Sequence, residues 1–110
     1  MIFQWDEKNV QHIGSHDVVP EEAEEIVLYA EPPFPREIGD DKLVVWGRTQ
    51  AGRYLQVIFV HKESDDVDFR SLSPTDLAEL SEQSSVAVAR IVHAMDLTPK
   101  LLKQYRRMYR

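Results

Sequence analysis

The chain has no cysteine and only four glycines in 110 residues. Without cysteine there is no disulfide, no thiolate metal site and no cysteine nucleophile. No glycine-rich phosphate loop, Walker motif or serine-nucleophile elbow occurs, so nucleotide hydrolysis and acyl transfer have no motif behind them. No apolar run approaches the ~20 residues of a membrane span. The opening Met1-Ile2-Phe3-Gln4-Trp5-Asp6 lacks the cationic region of a signal peptide. A cytoplasmic protein with no membrane contact is the expectation. What is present, 43% hydrophobic and 29% charged residues, is a globular balance. A chain of this length buries enough surface for one core, and a single domain over 1–110 is expected.

The formal net charge of -6 is unevenly spread. Residues 1–31 carry eight acids and one base, and residues 63–82 carry seven acids and one base. Residues 83–110 carry six bases against Asp96 alone. An acidic chain argues against broad nucleic-acid affinity, whereas a basic end can still hold phosphate locally. The competing reading of that end is a solvated amphipathic helix, or a docking surface for an acidic partner.

Alternation in residues 1–6 predicts a short strand with Met1, Phe3 and Trp5 on one face and Gln4 and Asp6 on the other. Asp6 is placed to cap a helix over 7–15, with Val10 and Ile13 on its inner face. Pro20 opens a second helix over 20–30, where Glu21, Glu22, Glu24 and Glu25 favour the positive end of the dipole. Its buried stripe is Ala23, Ile26, Val27 and Ala30, and Pro32-Pro33-Phe34-Pro35 stops it. Strands 43–49 and 54–61 flank the turn Gln50-Ala51-Gly52-Arg53, which predicts a hairpin. The acidic stretch 63–84 reads as a surface insert, with Ser73-Pro74-Thr75-Asp76 starting a short helix through Leu77 and Leu80. A third long strand covers 86–94. Thr98 and Pro99 then start a last helix with the apolar stripe Leu101, Leu102, Tyr105 and Met108. The order predicts an α+β fold: a small antiparallel sheet with two N-terminal helices and one C-terminal helix.

Three blocks of this sequence resemble a known family. Trp5-Asp6-Glu7-Lys8-Asn9, Ile13, His16, Val18 and Glu21-Glu22-Ala23-Glu24-Glu25 resemble the N-terminal motif of BrnT-type toxins. Gly47-Arg48-Thr49 with Gly52-Arg53-Tyr54-Leu55 resembles that family's central hairpin. Arg90-Ile91-Val92-His93-Ala94, Thr98-Pro99-Lys100 and Tyr105-Arg106-Arg107 resemble its last strand and helix. The resemblance implies a RelE-like fold, metal-independent RNA cleavage, and neutralisation by a ribbon-helix-helix antitoxin from the same operon. The chain departs from the family pattern at Met95, where an arginine is usual, and at Leu101, where a glutamate is usual. It also has the 63–84 insert in place of a short turn, and its acidity is unlike the basic toxins of the superfamily.

Metal-free RNA cleavage needs a base for the 2′-hydroxyl, cations for the phosphorane charge and an acid for the leaving oxygen. The residues available are Arg48, Arg53, His61, Arg90, His93 and Tyr105, with Lys100, Lys103, Arg106 and Arg107 as RNA-binding cations. Strand parity puts Arg90 and Val92 on one face and His93 on the other, so Arg90 and His93 need a bulge or a strand end between them to share a site. The plain reading of both is surface or edge residues. His12 and His16 have the four-residue spacing of a helical metal grip, but no third ligand is in view, and His16 packed near Trp5 is the simpler reading. No metal and no cofactor is expected. Trp5, Trp46, Tyr54 and Phe59 fit core packing better than a base-stacking platform. The glutamates of 21–25 fit a charged helix face better than paired general acids.

Two functional readings stay open: a toxin-like endoribonuclease with RNA substrate and cognate antitoxin, and a catalytically degenerate toxin fold acting as a protein-binding module. Homo-oligomerisation is left open by the sequence.

Overall fold

The computed structural model describes residues 2–62, 74–75 and 88–109. Along the chain run β1 (Ile2–Gln4), α1 (Glu7–Gly14), α2 (Pro20–Leu28), β2 (Arg36–Gly39), β3 (Lys42–Arg48), β4 (Tyr54–Lys62), β5 (Val88–Asp96) and α3 (Pro99–Met108). The strands form one sheet in the order β1-β5-β4-β3-β2. The α+β class expected from the sequence is the class observed. The sheet, however, is mixed: β1 runs parallel to β5, pairing Ile2 with Val88 and Gln4 with Arg90, while the other neighbours are antiparallel. Among the described residues no helix is long and apolar enough to cross a membrane.

Capping chemistry sets the helix starts. The Asp6 carboxylate accepts the Asn9 amide N–H at 2.8 Å, and the Asn9 side chain accepts the Asp6 amide N–H at 2.7 Å, a reciprocal capping box. Pro20 stands at the first position of α2, and Glu22 accepts the Val19 N–H at 3.2 Å. Thr98 Oγ1 accepts the Leu101 N–H at 3.3 Å ahead of α3. All three starts follow the sequence expectation.

The hairpin β3–β4 closes through Thr49-Gln50-Ala51-Gly52. Gly52, at φ 94°, donates to the Thr49 carbonyl at 2.8 Å, in the left-handed region that favours glycine. The β2–β3 hairpin was not expected. Its tip is Asp40-Asp41, both with positive φ (53° and 60°), the twist of a two-residue primed turn.

One sheet face carries the core. Val45, Leu55, Val57, Phe59, Ala89, Ile91 and Ala94 pack there with Ile13, Val18, Ala23, Ile26, Val27 and Phe34. At Gly47 a Cβ would come 3.1 Å from Ile26 Cδ1, so α2 lies directly against β3. Helix α1 behaves differently from expectation: Val10 is exposed and Asn9 is buried beside Ile13. Gln4, expected on a polar face, is also buried, because β1 is covered on both sides. In α3 Leu101, Leu102 and Tyr105 are half-buried and Met108 is exposed. Pro74 and Thr75 are helical, matching the predicted helix start; the rest of that helix, and Val86 and Ala87 of the predicted strand, lie outside the described residues.

Candidate functional site

The six predicted catalytic residues do not form one site; the fold distributes them over four places. His61 is exposed near the end of β4, opposite Ala89, beside Glu37, Asp40 and Asp41 of the β2–β3 turn. It stands seven residues from Tyr54, about 23 Å along an extended strand.

Arg53 is consumed by structure. Its Nε and Nη2 donate to the two oxygens of Asp96 at 2.9 and 3.2 Å, and Nη1 donates to Glu22 at 3.1 Å. Nη1 also donates to the Asp17 carbonyl and Nη2 to the His16 carbonyl. These bonds, the Asp96 ones foremost, hold the Arg53 guanidinium more firmly protonated than usual and the Asp96 carboxyl below its ordinary range. A fork filled on every side does not receive a phosphate. The sequence puts Arg53 in the catalytic set; in the fold its side chain ties the β3–β4 turn to α2 and to the end of β5.

Arg90 and His93 meet the predicted condition. Ile58 pairs with His93 and Phe59 with Ile91, so Val92 is the extra residue of a bulge. Arg90 pairs with Val60, two residues from Ile58, so Arg90 and His93 share a face. Arg90 donates to Asp6 at 3.1 Å. With Val92 it lines a cleft of about 480 Å3 whose other wall is Lys8, Gln11, His12 and Ser15 of the first helix and its end. His93 faces two more imidazoles: His12 Nε2 is 3.3 Å from His93 Nδ1, and the ring centres of His16 and His93 are 5.1 Å apart. Partial burial, then the neighbouring His16 and His12, pushes the His93 pKa below that of a free histidine. His16 thus packs on His12 and His93, not on Trp5. Trp5 Nε1 instead donates to Glu24 at 2.9 Å.

Arg48 and Tyr105 are brought together. The Arg48 guanidinium lies 5.4 Å from the Tyr54 ring centre and the Arg106 guanidinium 5.7 Å from the same ring. Tyr105 packs edge-on to Tyr54 at 5.8 Å and against Tyr109 at 4.8 Å. Three elements build this group: Arg48 ends β3, Tyr54 opens β4 opposite it, and α3 supplies Tyr105 and Arg106. No carboxylate of the described residues pairs with Arg48 or Arg106. Burial raises the Tyr105 pKa, aided by Tyr109, Glu31 and Tyr54 and opposed by Arg48, so the phenol keeps its proton at neutral pH. Glu25, Glu31, Tyr29 and Tyr109 line the adjoining hollow. Tyr54 was expected in the core, and its role here was missed; its place opposite Arg48 across the predicted turn was the available signal.

Lys100, Lys103, Arg106 and Arg107 are all exposed along α3. Phe59 and the two tryptophans pack in or against the core, as expected. The α2 glutamates are more than a solvated face: Glu22 holds Arg53, Glu24 holds Trp5, and Glu25 accepts the Gln50 N–H at 3.2 Å. Among the described residues no group of three or more His, Asp or Glu side chains could hold a metal ion. Comparison with known proteins returns no matching family model, no matching curated protein and no matching solved structure.

Proposed function

We propose that this protein is a toxin-like, metal-independent endoribonuclease of a type II toxin-antitoxin pair, RelE-like in kind, acting in the cytoplasm and neutralised by a ribbon-helix-helix antitoxin. The observation that carries the reading is the convergence of Arg48, Tyr54, Tyr105 and Arg106 from three elements. Two guanidiniums without carboxylate partners among the described residues suit the non-bridging oxygens of a phosphate. A phenol between them offers a stacking surface for a base. In the proposed reaction the RNA 2′-oxygen bonds to phosphorus and the P–O5′ bond breaks. Glu31, in electrostatic reach of Tyr105, takes the 2′ proton, and Tyr105 gives its proton to the departing 5′-oxygen. Arg48 and Arg106 stabilise the phosphorane charge, and the basic face of α3 holds the flanking strand.

The second reading is a toxin fold that binds a partner without catalysis. It is favoured by Arg53 and Arg90, two expected phosphate clamps already engaged by Asp96, Glu22 and Asp6. Labelled single-stranded RNA incubated with the protein in EDTA separates the two. Cleavage leaving 2′,3′-cyclic phosphate ends, lowered about 100-fold or more by Arg48→Ala and strongly by Tyr105→Phe, supports the ribonuclease. Intact RNA supports the binding module, and retention of a stable complex with the antitoxin is then its positive test.

A further inference from the structure

The cleft between α1 and β5 differs in charge from the other hollows described. Glu25 and Glu31 line the hollow beside Arg48, and Glu37, Asp40 and Asp41 line the one at the β2–β3 turn. The α1–β5 cleft instead carries Lys8, His12 and Arg90, and no acid of the described residues lines it. It does so on a chain of net charge -6. We propose that this cleft binds a small phosphomonoester of nucleotide size, its phosphate held by Lys8, His12 and Arg90.

Helical spacing builds one wall. Lys8, Gln11, His12 and Ser15 stand at i, i+3, i+4 and i+7, so they share one face of α1 and its end. Lys8 is exposed and has no carboxylate partner among the described residues. His12 is steadied at Nε2 by His93 Nδ1, 3.3 Å away, while its Nδ1 has no partner among the described residues.

The opposite wall is Arg90 and Val92 of β5. Asp6 steadies Arg90 without filling it. One Asp6 oxygen accepts the Asn9 amide N–H at 2.8 Å, and the other accepts from Arg90 Nη2 at 3.1 Å. The helix cap thus fixes the acid that holds the guanidinium. Nε and Nη1 of Arg90 have no partner among the described residues, whereas every nitrogen of the Arg53 fork is engaged. The donors left over suit the oxygens of one phosphate.

Charge and size give the ligand class. A phosphomonoester carries about -1.5 to -2 charges at neutral pH and three strong acceptor oxygens. An ammonium, a guanidinium and an imidazole from two elements match that group. The cleft, at about 480 Å3, has room for more than a phosphate and falls in the range of about 300–1,000 Å3 of small-molecule sites. Val92 offers the organic part an apolar contact. The cleft lies on the α1–β5 side, apart from the Arg48–Tyr105 group, so it does not rest on the ribonuclease reading.

The test titrates the isotope-labelled full chain with AMP, inorganic phosphate and adenosine at fixed ionic strength, read by amide chemical shifts. AMP should saturate at one per chain and move the amides of residues 8–15 and 90–92. Phosphate should compete for the same place more weakly, and adenosine should move little. Lys8→Ala and Arg90→Gln should each weaken AMP binding about tenfold, while Lys42→Ala should leave it unchanged. Lys8→Ala removes an exposed side chain and spares the fold, so it decides the matter where Arg90→Gln is poorly folded. Absence of a saturable shift at millimolar AMP overturns the proposal, as do shifts centred on the basic face of α3. So does adenosine binding as tightly as AMP, AMP binding no tighter than phosphate, or AMP binding that Lys8→Ala leaves unchanged.

Discussion

At the scale of single residues, the contrast between Arg48 and Arg53 decides most. Both are arginines of one hairpin, five residues apart, and both fit a phosphate clamp from the sequence. The turn places Arg53 where Asp96, Glu22 and two carbonyls already fill its fork, while Arg48 is left stacked on Tyr54 with no acidic partner among the described residues. Residue type is visible in a sequence; occupancy is not, because Asp96 and Glu22 are far from Arg53 along the chain. The expected outcome of Arg53→Ala is therefore a loss of stability of about 1–3 kcal/mol, read as a lower melting temperature. Arg48→Ala should melt close to the parent. Equal melting temperatures for the two variants would return Arg53 to the candidate catalytic set.

Among the elements, α1 and β5 depend on one another. β1 covers only the first part of the β5 edge, from Val88 to Arg90. Just beyond it the Asn9 side chain donates to the Ile91 carbonyl at 3.1 Å, and it also donates to the Gln4 carbonyl at 3.3 Å. Asn9 thereby serves as capping residue, strand-edge partner and buried core neighbour at once. Asn9→Ala leaves two carbonyls and the Asp6 N–H without that partner. The expected cost is about 2 kcal/mol, and urea unfolding measures it. A change under a few tenths of a kcal/mol would mean that water replaces the amide fully. The helices, their caps and the β3–β4 hairpin were legible because each is written in local spacing: Asp6 before Glu7, Pro20 before four glutamates, Gly52 in the turn. The parallel pairing of β1, the burial of Asn9 and the β2 strand were not. Parallel pairing joins residues 86 positions apart, as with Ile2 and Val88. Pro32, Pro33 and Pro35 mask the start of β2, and its turn carries Asp-Asp rather than a glycine pair.

For the whole molecule, Glu22 of α2, Asp6 ahead of α1 and Asp96 at the end of β5 hold Arg53 and Arg90, while the bases of α3 are exposed. The candidate site was legible as a list of residue types and illegible as a place, since its members come from β3, β4 and α3. Acid should loosen the structure in a definite window. The Asp96 carboxyl titrates below its unfolded value because Arg53 bonds to its charged form, so its contribution is present above about pH 4 and fades as pH falls through the lower folded value. Urea midpoints for the parent and Asp96→Asn should differ by a constant amount from pH 7 to 5 and converge below pH 4. Curves that stay parallel down to pH 2 would show that the difference does not come from the ionised Asp96 carboxylate.

The extra residue in β5 has a consequence at the same scale. Val92 is a spacer between two halves of one strand: before it Ile91 faces the core, and after it Ala94 does, three positions on instead of two. Were the same residues paired without the bulge, strict alternation would turn His93 inward and send Ala94 out. The imidazole cluster and the core are kept in phase by the bulge at this single position, which absorbs one residue that plain alternation has no place for.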